Sequence, residues 1–276
     1  MGAAIAKICS FEFSIIKLIL ALFTTLFLQI LSNFANDYGD GIKGSDQYRQ
    51  TNDRMVQTGK ISKKEMKKGI IIMSISGFFS GLLLIFFSFP LEDTYKILLF
   101  LVLGVLAIVA AIKYTVGRAA YGYYGLGDLF VFLFFGIVGV FGSFFLFTQE
   151  INILAVPGSL YIGSLSCAVL NLNNMRDIEN DIKSNKQTFA VLLGQKKSKI
   201  YHYFLIITAF ISLVFLLISS GNKLYYLSIL PFVICLINIL SVYKNKNPQD
   251  LDGELKKVAL SCFITSLMLY VTGIII

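Results

Sequence analysis

The sequence predicts an all-α, polytopic membrane bundle, and three observations carry that prediction. Of 276 residues, 56% are hydrophobic and only 14% charged, with a mean hydropathy of +0.75, too apolar for a water-soluble domain. The charged residues collect between apolar runs, each near the roughly 20 residues that a helix needs to cross a ~30 Å hydrocarbon core. No ten-residue apolar–polar alternation of the transmembrane-barrel kind is present, and the helix is the other structure that satisfies its own backbone in lipid.

Eight full spans follow in order, at 17–36, 69–89, 96–116, 127–147, 153–174, 199–219, 223–243 and about 256–276. They make one transmembrane domain over 1–276. Before them, "MGAAIAKICS" is apolar, but up to Glu12 it rises only about 16 Å at 1.5 Å per residue, half of a crossing. In the first full span Lys17 is the only charged side chain before Asn33, and Gln29 the only amide. In the second, Gly77 and Gly81 have the small-xxx-small spacing that permits close helix packing. The preceding "KISKKEMKK" reads as an amphipathic cytoplasmic segment attracted to anionic lipid. The fourth span opens on Asp128, an acid that is expensive at such a place and therefore a functional candidate. Cys9, Cys167, Cys235 and Cys262 stand singly in apolar stretches without metal or disulfide spacing and read as small core hydrophobes. His202, the lone histidine, reads as a helix-end residue rather than a general base.

The net charge of +8 does not point to nucleic acid, because the basic residues are distributed by membrane side. All but Lys7, Lys17, Lys96 and Lys223 fall on the connections at one face. The positive-inside rule makes that face cytoplasmic, giving a multi-pass protein of the cytoplasmic (inner) membrane.

Two connections on that face carry acids: "NDYGDGIKGSD" at 36–46 and "NLNNMRDIENDIKSNKQT" at 171–188. Asp37 and Asp40 are spaced i,i+3, Asn36 and Asp40 i,i+4, and Asp177 and Asp181 i,i+4, so each set shares one helical face. Carboxylates crowded beside hydrocarbon repel one another, and a bridging cation relieves that. Oxygen-only ligands favour a hard ion such as Mg²⁺, which takes one or two carboxylates and completes its shell with water and phosphate oxygens. Lys43, Arg49, Arg176, Lys183 and Lys186, interleaved with these acids, suit the outer oxygens of a polyanion. The combination points to a diphosphate with a lipid tail, bound at the surface of the bilayer.

"SNFANDYGDGIKGSD", "KYTVGRAAYGYYGLGD" and "NLNNMRDIENDIKSNKQTFAVLLG" together resemble the UbiA-type intramembrane aromatic prenyltransferases. Within that superfamily they are most similar to the branch that prenylates 1,4-dihydroxy-2-naphthoate in menaquinone synthesis. The resemblance runs from residue 1 nearly to the last helix. It implies nine transmembrane helices around a central cavity, with Mg²⁺ held by Asp37, Asp40, Asp177 and Asp181 against the diphosphate of a polyprenyl donor. Asn36, Asn173 and Asn174 would orient those ligands or bind phosphate. The implied reaction is Mg-dependent transfer of the polyprenyl group to 1,4-dihydroxy-2-naphthoate with decarboxylation, giving demethylmenaquinone, diphosphate and CO₂. Tyr114, Tyr121, Tyr123 and Tyr124 are candidates for stabilising an allylic cation, since ring faces attract positive charge and a dry cavity keeps water from it.

The sequence departs from the family pattern at three places. Gly44 stands where the first motif commonly has a third aspartate, with Asp46 two residues on. Ala119 and Ala120 stand where a basic residue and a proline are expected, so Arg118 is the candidate for the basic role. The first helix of the family begins earlier, with a basic, proline-containing cytoplasmic half, and its later half reads much like "MGAAIA"; the expectation is a truncated first helix. A transporter is the competing class, but it favours charges at mid-membrane, and the middles of these spans carry almost no ionisable group. A prenyltransferase for another aromatic acid, such as 4-hydroxybenzoate, is the nearer alternative.

Overall fold

The computed structural model describes residues 1–11, 14–45 and 54–276. Among these a short helix α1 (Gly2–Ile8) precedes eight helices long and apolar enough to cross a membrane: α2 (Ile15–Lys43), α3 (Lys63–Ser88), α4 (Thr94–Lys113), α5 (Gly127–Thr148), α6 (Ala155–Lys183), α7 (Phe189–Ser219), α8 (Lys223–Lys244) and α9 (Pro248–Ile275). Each predicted span is thus a helix. Several outrun their apolar stretch at the polar end, because a helix leaving lipid keeps its internal hydrogen bonds. Asn36, Asp37, Asp40 and Lys43 therefore lie in the last turns of α2, and Asn173 to Asp181 in the last turns of α6, rather than in loops.

The chain divides into two compact units, Ser14–Gly127 with Ile178–Leu192, and Met1–Phe13 with Asp128–Asp177 and Leu193–Ile276. In the first, α2, α3 and α4 pack on one another around Leu31, Ala35 and Ile70, with Leu28, Phe34, Met73, Ile108 and Ile112 against them. Ser14 caps the start of α2, and Gly44 ends it at φ 70°, a left-handed conformation that glycine adopts without a side-chain penalty. Thr24 Oγ1 and Ser80 Oγ bridge α2 and α3 at 2.9 Å, the kind of polar contact that joins helices within lipid. Gly77 and Gly81 face Leu28 and Thr24, but a Cβ at either would sit at an ordinary 3.6 Å, so neither is needed for close approach. A tight point is Gly39, where a Cβ would come within 2.8 Å of the Thr115 backbone. The "KISKKEMKK" run is no separate segment: Ser62 and Glu65 form a capping box that opens α3, leaving the lysines exposed and Met66 buried.

In the second unit, α1 buries Ala4, Ile5 and Ala6 against α5 and α9. α5 winds as a π-helix over Phe132–Gly142, and within it Gly136 lies so near α6 that a Cβ would stand 2.9 Å from the Gly163 Cα. α8 opens as a 3₁₀ helix, Lys223–Phe232, around Pro231. The four cysteines are all thiols.

Candidate active site

The first unit brings the ends of α2 and α6 together with the loop after α4. Asp40 is 2% exposed and fully partnered. Its Oδ1 accepts the Tyr123 hydroxyl at 2.7 Å, and its Oδ2 pairs with Lys186 Nζ at 3.2 Å and with the Arg54 guanidinium at 3.8 Å. The Ser45 hydroxyl lies against the Tyr123 oxygen in turn. Lys43 Nζ sits 3.7 Å from the centre of the Tyr123 ring and Lys186 Nζ 5.3 Å from it, so one phenol gives a hydrogen bond to the acid and a π face to two cations. The loop holds Tyr123 there through its carbonyl, which accepts the Gln187 amide at 3.2 Å.

Asp181 is likewise buried, with its Oδ2 accepting the Thr188 hydroxyl at 3.3 Å. The Asn180 amide donates to the Ser45 carbonyl at 2.7 Å, tying the end of α6 to the end of α2. Burial works against the Lys186 ammonium, but Asp40 and then Asp181 outweigh it and raise its pKa above the ordinary lysine value. Burial, reinforced by Asp40, raises the Tyr123 pKa as well, which keeps the phenol a proton donor. Tyr123→Phe removes that donor and is expected to destabilise the protein by about 2 kcal/mol, the usual value for a hydrogen bond to a charged group. Thermal unfolding of the purified protein measures this, and an unshifted transition would contradict it.

Asp37, predicted to act beside Asp40, is occupied by backbone. Its two oxygens accept the Met55 and Val56 amides at 2.9 and 3.2 Å, so it also shapes the turn that delivers Arg54. Thr115 Oγ1 donates to the Ala35 carbonyl and the Asn36 side chain at 2.8 and 3.3 Å. Tyr114 packs edge-on against Tyr121, while Arg118 and Tyr124 are exposed. Asp46 and Arg49 lie outside the described residues.

In the second unit Arg176 is buried and spans three partners. Nε and Nη2 grip the two Asp177 oxygens at 2.8 and 2.7 Å, Nη2 also donates to Asn173 Oδ1 at 2.6 Å, and Nη1 reaches Asp252 at 2.5 Å. Asn174 is buried. The Asp128 carboxylate accepts the Tyr201 hydroxyl at 3.1 Å. His202, expected at a helix end, is instead wholly buried within α7. Its Nε2 meets Asn238 Oδ1 at 2.7 Å, and Asn238 Nδ2 donates to Glu254 at 2.9 Å. Because the carboxylate only accepts, Asn238 turns its oxygen to the imidazole, which assigns the proton to Nε2. Sequence reasoning missed Asp252, Ser45, Thr188 and the Asn238–Glu254 pair. Ser45 and Thr188 lie within the two acidic stretches; nothing local distinguishes Asp252 from any other loop acid.

Among the described residues no three His, Cys, Asp or Glu side chains gather closely enough to cage an ion by themselves. Paired, oxygen-only carboxylates still fit Mg²⁺, which seldom has an all-protein cage and draws the rest of its shell from water and phosphate. The lysines and arginine beside them fit the phosphate oxygens.

Residues 1–267 match the pattern of the UbiA prenyltransferase family. The chain is 40% identical over 258 residues to a 1,4-dihydroxy-2-naphthoate octaprenyltransferase of Haemophilus influenzae, covering 93% of this chain and 83% of that protein. It is 37% identical, with the same coverage, to the Escherichia coli protein of that name. Its fold is similar to that of a UbiA homolog from Aeropyrum pernix, with a TM-score of 0.76 at 15% identity over 98% of this chain and 95% of that one. A UbiA homolog from Archaeoglobus fulgidus bound to GPP and Mg²⁺ matches with a TM-score of 0.67 at 14% identity, over 100% of this chain and 94% of that one.

Proposed function

Because the chain belongs to the UbiA prenyltransferase family, we propose that it transfers a polyprenyl group from polyprenyl diphosphate to 1,4-dihydroxy-2-naphthoate, at the cytoplasmic face of the membrane. The observation that carries this reading is the pair of buried acids Asp40 and Asp181 at the ends of membrane-length helices, with Lys186 and Tyr123 from the adjoining loops on Asp40. It combines acids for a hard cation with bases for phosphate. The acceptor is supported by the names of the Haemophilus and Escherichia relatives.

Asp37, Asp40 and Asp181 in the first unit, and Asp177 in the second, would each be a ligand for Mg²⁺, which when bound neutralises diphosphate and makes it a competent leaving group. Lys186, Lys43 and Arg176 would take up diphosphate oxygens, while Asn36, Asn173 and Asn174 orient acids or phosphate. Tyr114 and Arg118 would contact substrate, and Asp128, fixed by Tyr201, would add a further polar contact. The bond between the allylic carbon and diphosphate oxygen breaks with its electron pair leaving on oxygen. The ring carbon that bears the carboxylate forms the new carbon–carbon bond, and loss of CO₂ returns a pair to the ring, so no external oxidant or reductant is needed.

Membranes containing the protein, supplied with radiolabelled polyprenyl diphosphate and a panel of aromatic acids, test this. Product is expected with 1,4-dihydroxy-2-naphthoate and CO₂ in step with it; EDTA should abolish both and Mg²⁺ or Mn²⁺ restore them. Transfer to 4-hydroxybenzoate with its carboxylate retained, and none to the naphthoate, would reassign the acceptor. EDTA-resistant turnover would remove the metal.

A further inference from the structure

The geometry points to Asp252 as a positioning residue that keeps Asp177 negative enough to attract a divalent cation. This rests on the reading of Asp177 as a metal ligand. Arg176 holds Asp177 through two nitrogens, at 2.8 and 2.7 Å. Alone, that fork would cancel the charge of the carboxylate it grips, leaving a neutral pair with little pull on a cation. The third nitrogen, Nη1, is committed to Asp252 Oδ1 at 2.5 Å. Asp252 sets a second carboxylate on the same guanidinium, and the added negative charge near a protein surface is a substantial attraction for a divalent ion.

Asp252 is the one member of this group that does not come from α6. Asn173, Arg176 and Asp177 share the last turns of that helix, whereas Asp252 begins the α-helical part of α9. The turn that presents it is anchored two residues on. Glu254 accepts from Asn238 at 2.9 Å, Asn238 from His202 at 2.7 Å, and all three are buried. Lys257 pairs with the other Glu254 oxygen at 2.5 Å. This chain of contacts from α7 and α8 sets where the Asp252 carboxylate meets the guanidinium. Its side chain is 53% exposed, so it is not held there by burial. Acids in a first helical turn also interact favourably with the helix dipole. That purely structural role predicts lost stability but no change in metal affinity, and the two can be separated.

The test is Mn²⁺ binding to the full-length, detergent-solubilised protein, followed by electron paramagnetic resonance without substrate. Asp252→Asn keeps an acceptor for Arg176 and removes only the charge. It is expected to raise the Mn²⁺ dissociation constant about five- to tenfold, the scale of one unit charge acting across a short, partly solvated distance. Asp252→Glu should restore most of the affinity. Asp250→Asn, which removes an equal charge from a residue bonded to Asn247, should leave it unchanged. In turnover, Asp252→Asn should shift the Mg²⁺ midpoint upward by a similar factor while kcat at saturating Mg²⁺ stays near the wild-type value. An Asp252→Asn protein within twofold of wild type in Mn²⁺ affinity, or an equal loss in Asp250→Asn, overturns the inference. A wild-type protein that binds no Mn²⁺ removes the metal reading itself, and this inference with it.

Discussion

Asp40→Asn is expected to lower turnover by about 10²–10³-fold, the usual cost of removing one preorganised electrostatic contact from developing charge, while the protein remains folded. The asparagine keeps the shape of the side chain, and its oxygen can still accept the Tyr123 hydroxyl that now lies 2.7 Å from Oδ1. What disappears is the negative charge facing Lys186 and Arg54. Those two cations then have one acid fewer, so less charge remains to hold a divalent ion. A shifted Mg²⁺ requirement should accompany the loss of rate. The measurement is kcat and the Mg²⁺ midpoint in membranes, with size-exclusion profiles of the solubilised protein as the folding control. More than about a tenth of wild-type turnover in a well-folded Asp40→Asn protein, against the loss expected for such a contact, would sink the assignment of Asp40 to the metal.

Lys186→Met should have the largest effect on stability. Removing one member of a buried ion pair leaves the other charge uncompensated, at a cost of about 3–5 kcal/mol. The Lys186 side chain is 12% exposed and that of Asp40 2%, so little water is available to take over. Arg54, at 3.8 Å, and the Tyr123 hydroxyl relieve part of the penalty, which places the expectation near the lower end of that range. The double variant Asp40→Asn/Lys186→Met should be more stable than Lys186→Met alone, because it removes the stranded carboxylate. Thermal or denaturant unfolding of the four proteins gives the coupling directly. Strict additivity would show that the pair contributes nothing beyond its separate parts.

These two residues show where local reading ends. Asp40 was recognisable as a site acid from its place at the end of an apolar run and from its spacing to Asp37. Lys186 was recognisable as a base in the second motif. Nothing in either stretch said that they would pair across 146 residues, or that Tyr123, read as one of four cation-stabilising aromatics, would donate to that acid. His202 shows the same limit from the other direction. Its position in the chain suggested a helix end, but its burial follows from α8 and α9 supplying Asn238 and Glu254.

The class of protein, the eight spans and the membrane-helix ends that carry the acids are legible along the chain alone. Those properties depend on the length of each apolar run against the thickness of a bilayer and on the cost of placing a charge in lipid, both of which are local to a segment. Which cation each acid meets is set by how the helices pack. Arg176 grips its sequence neighbour Asp177 and also Asp252, 76 residues on, and Lys186 goes to Asp40 on α2. Lysines and arginines are interchangeable in a reading of charge along the chain. They become distinct only when helix packing brings one of them, and not another, within about 3 Å of a carboxylate with no water left to compete.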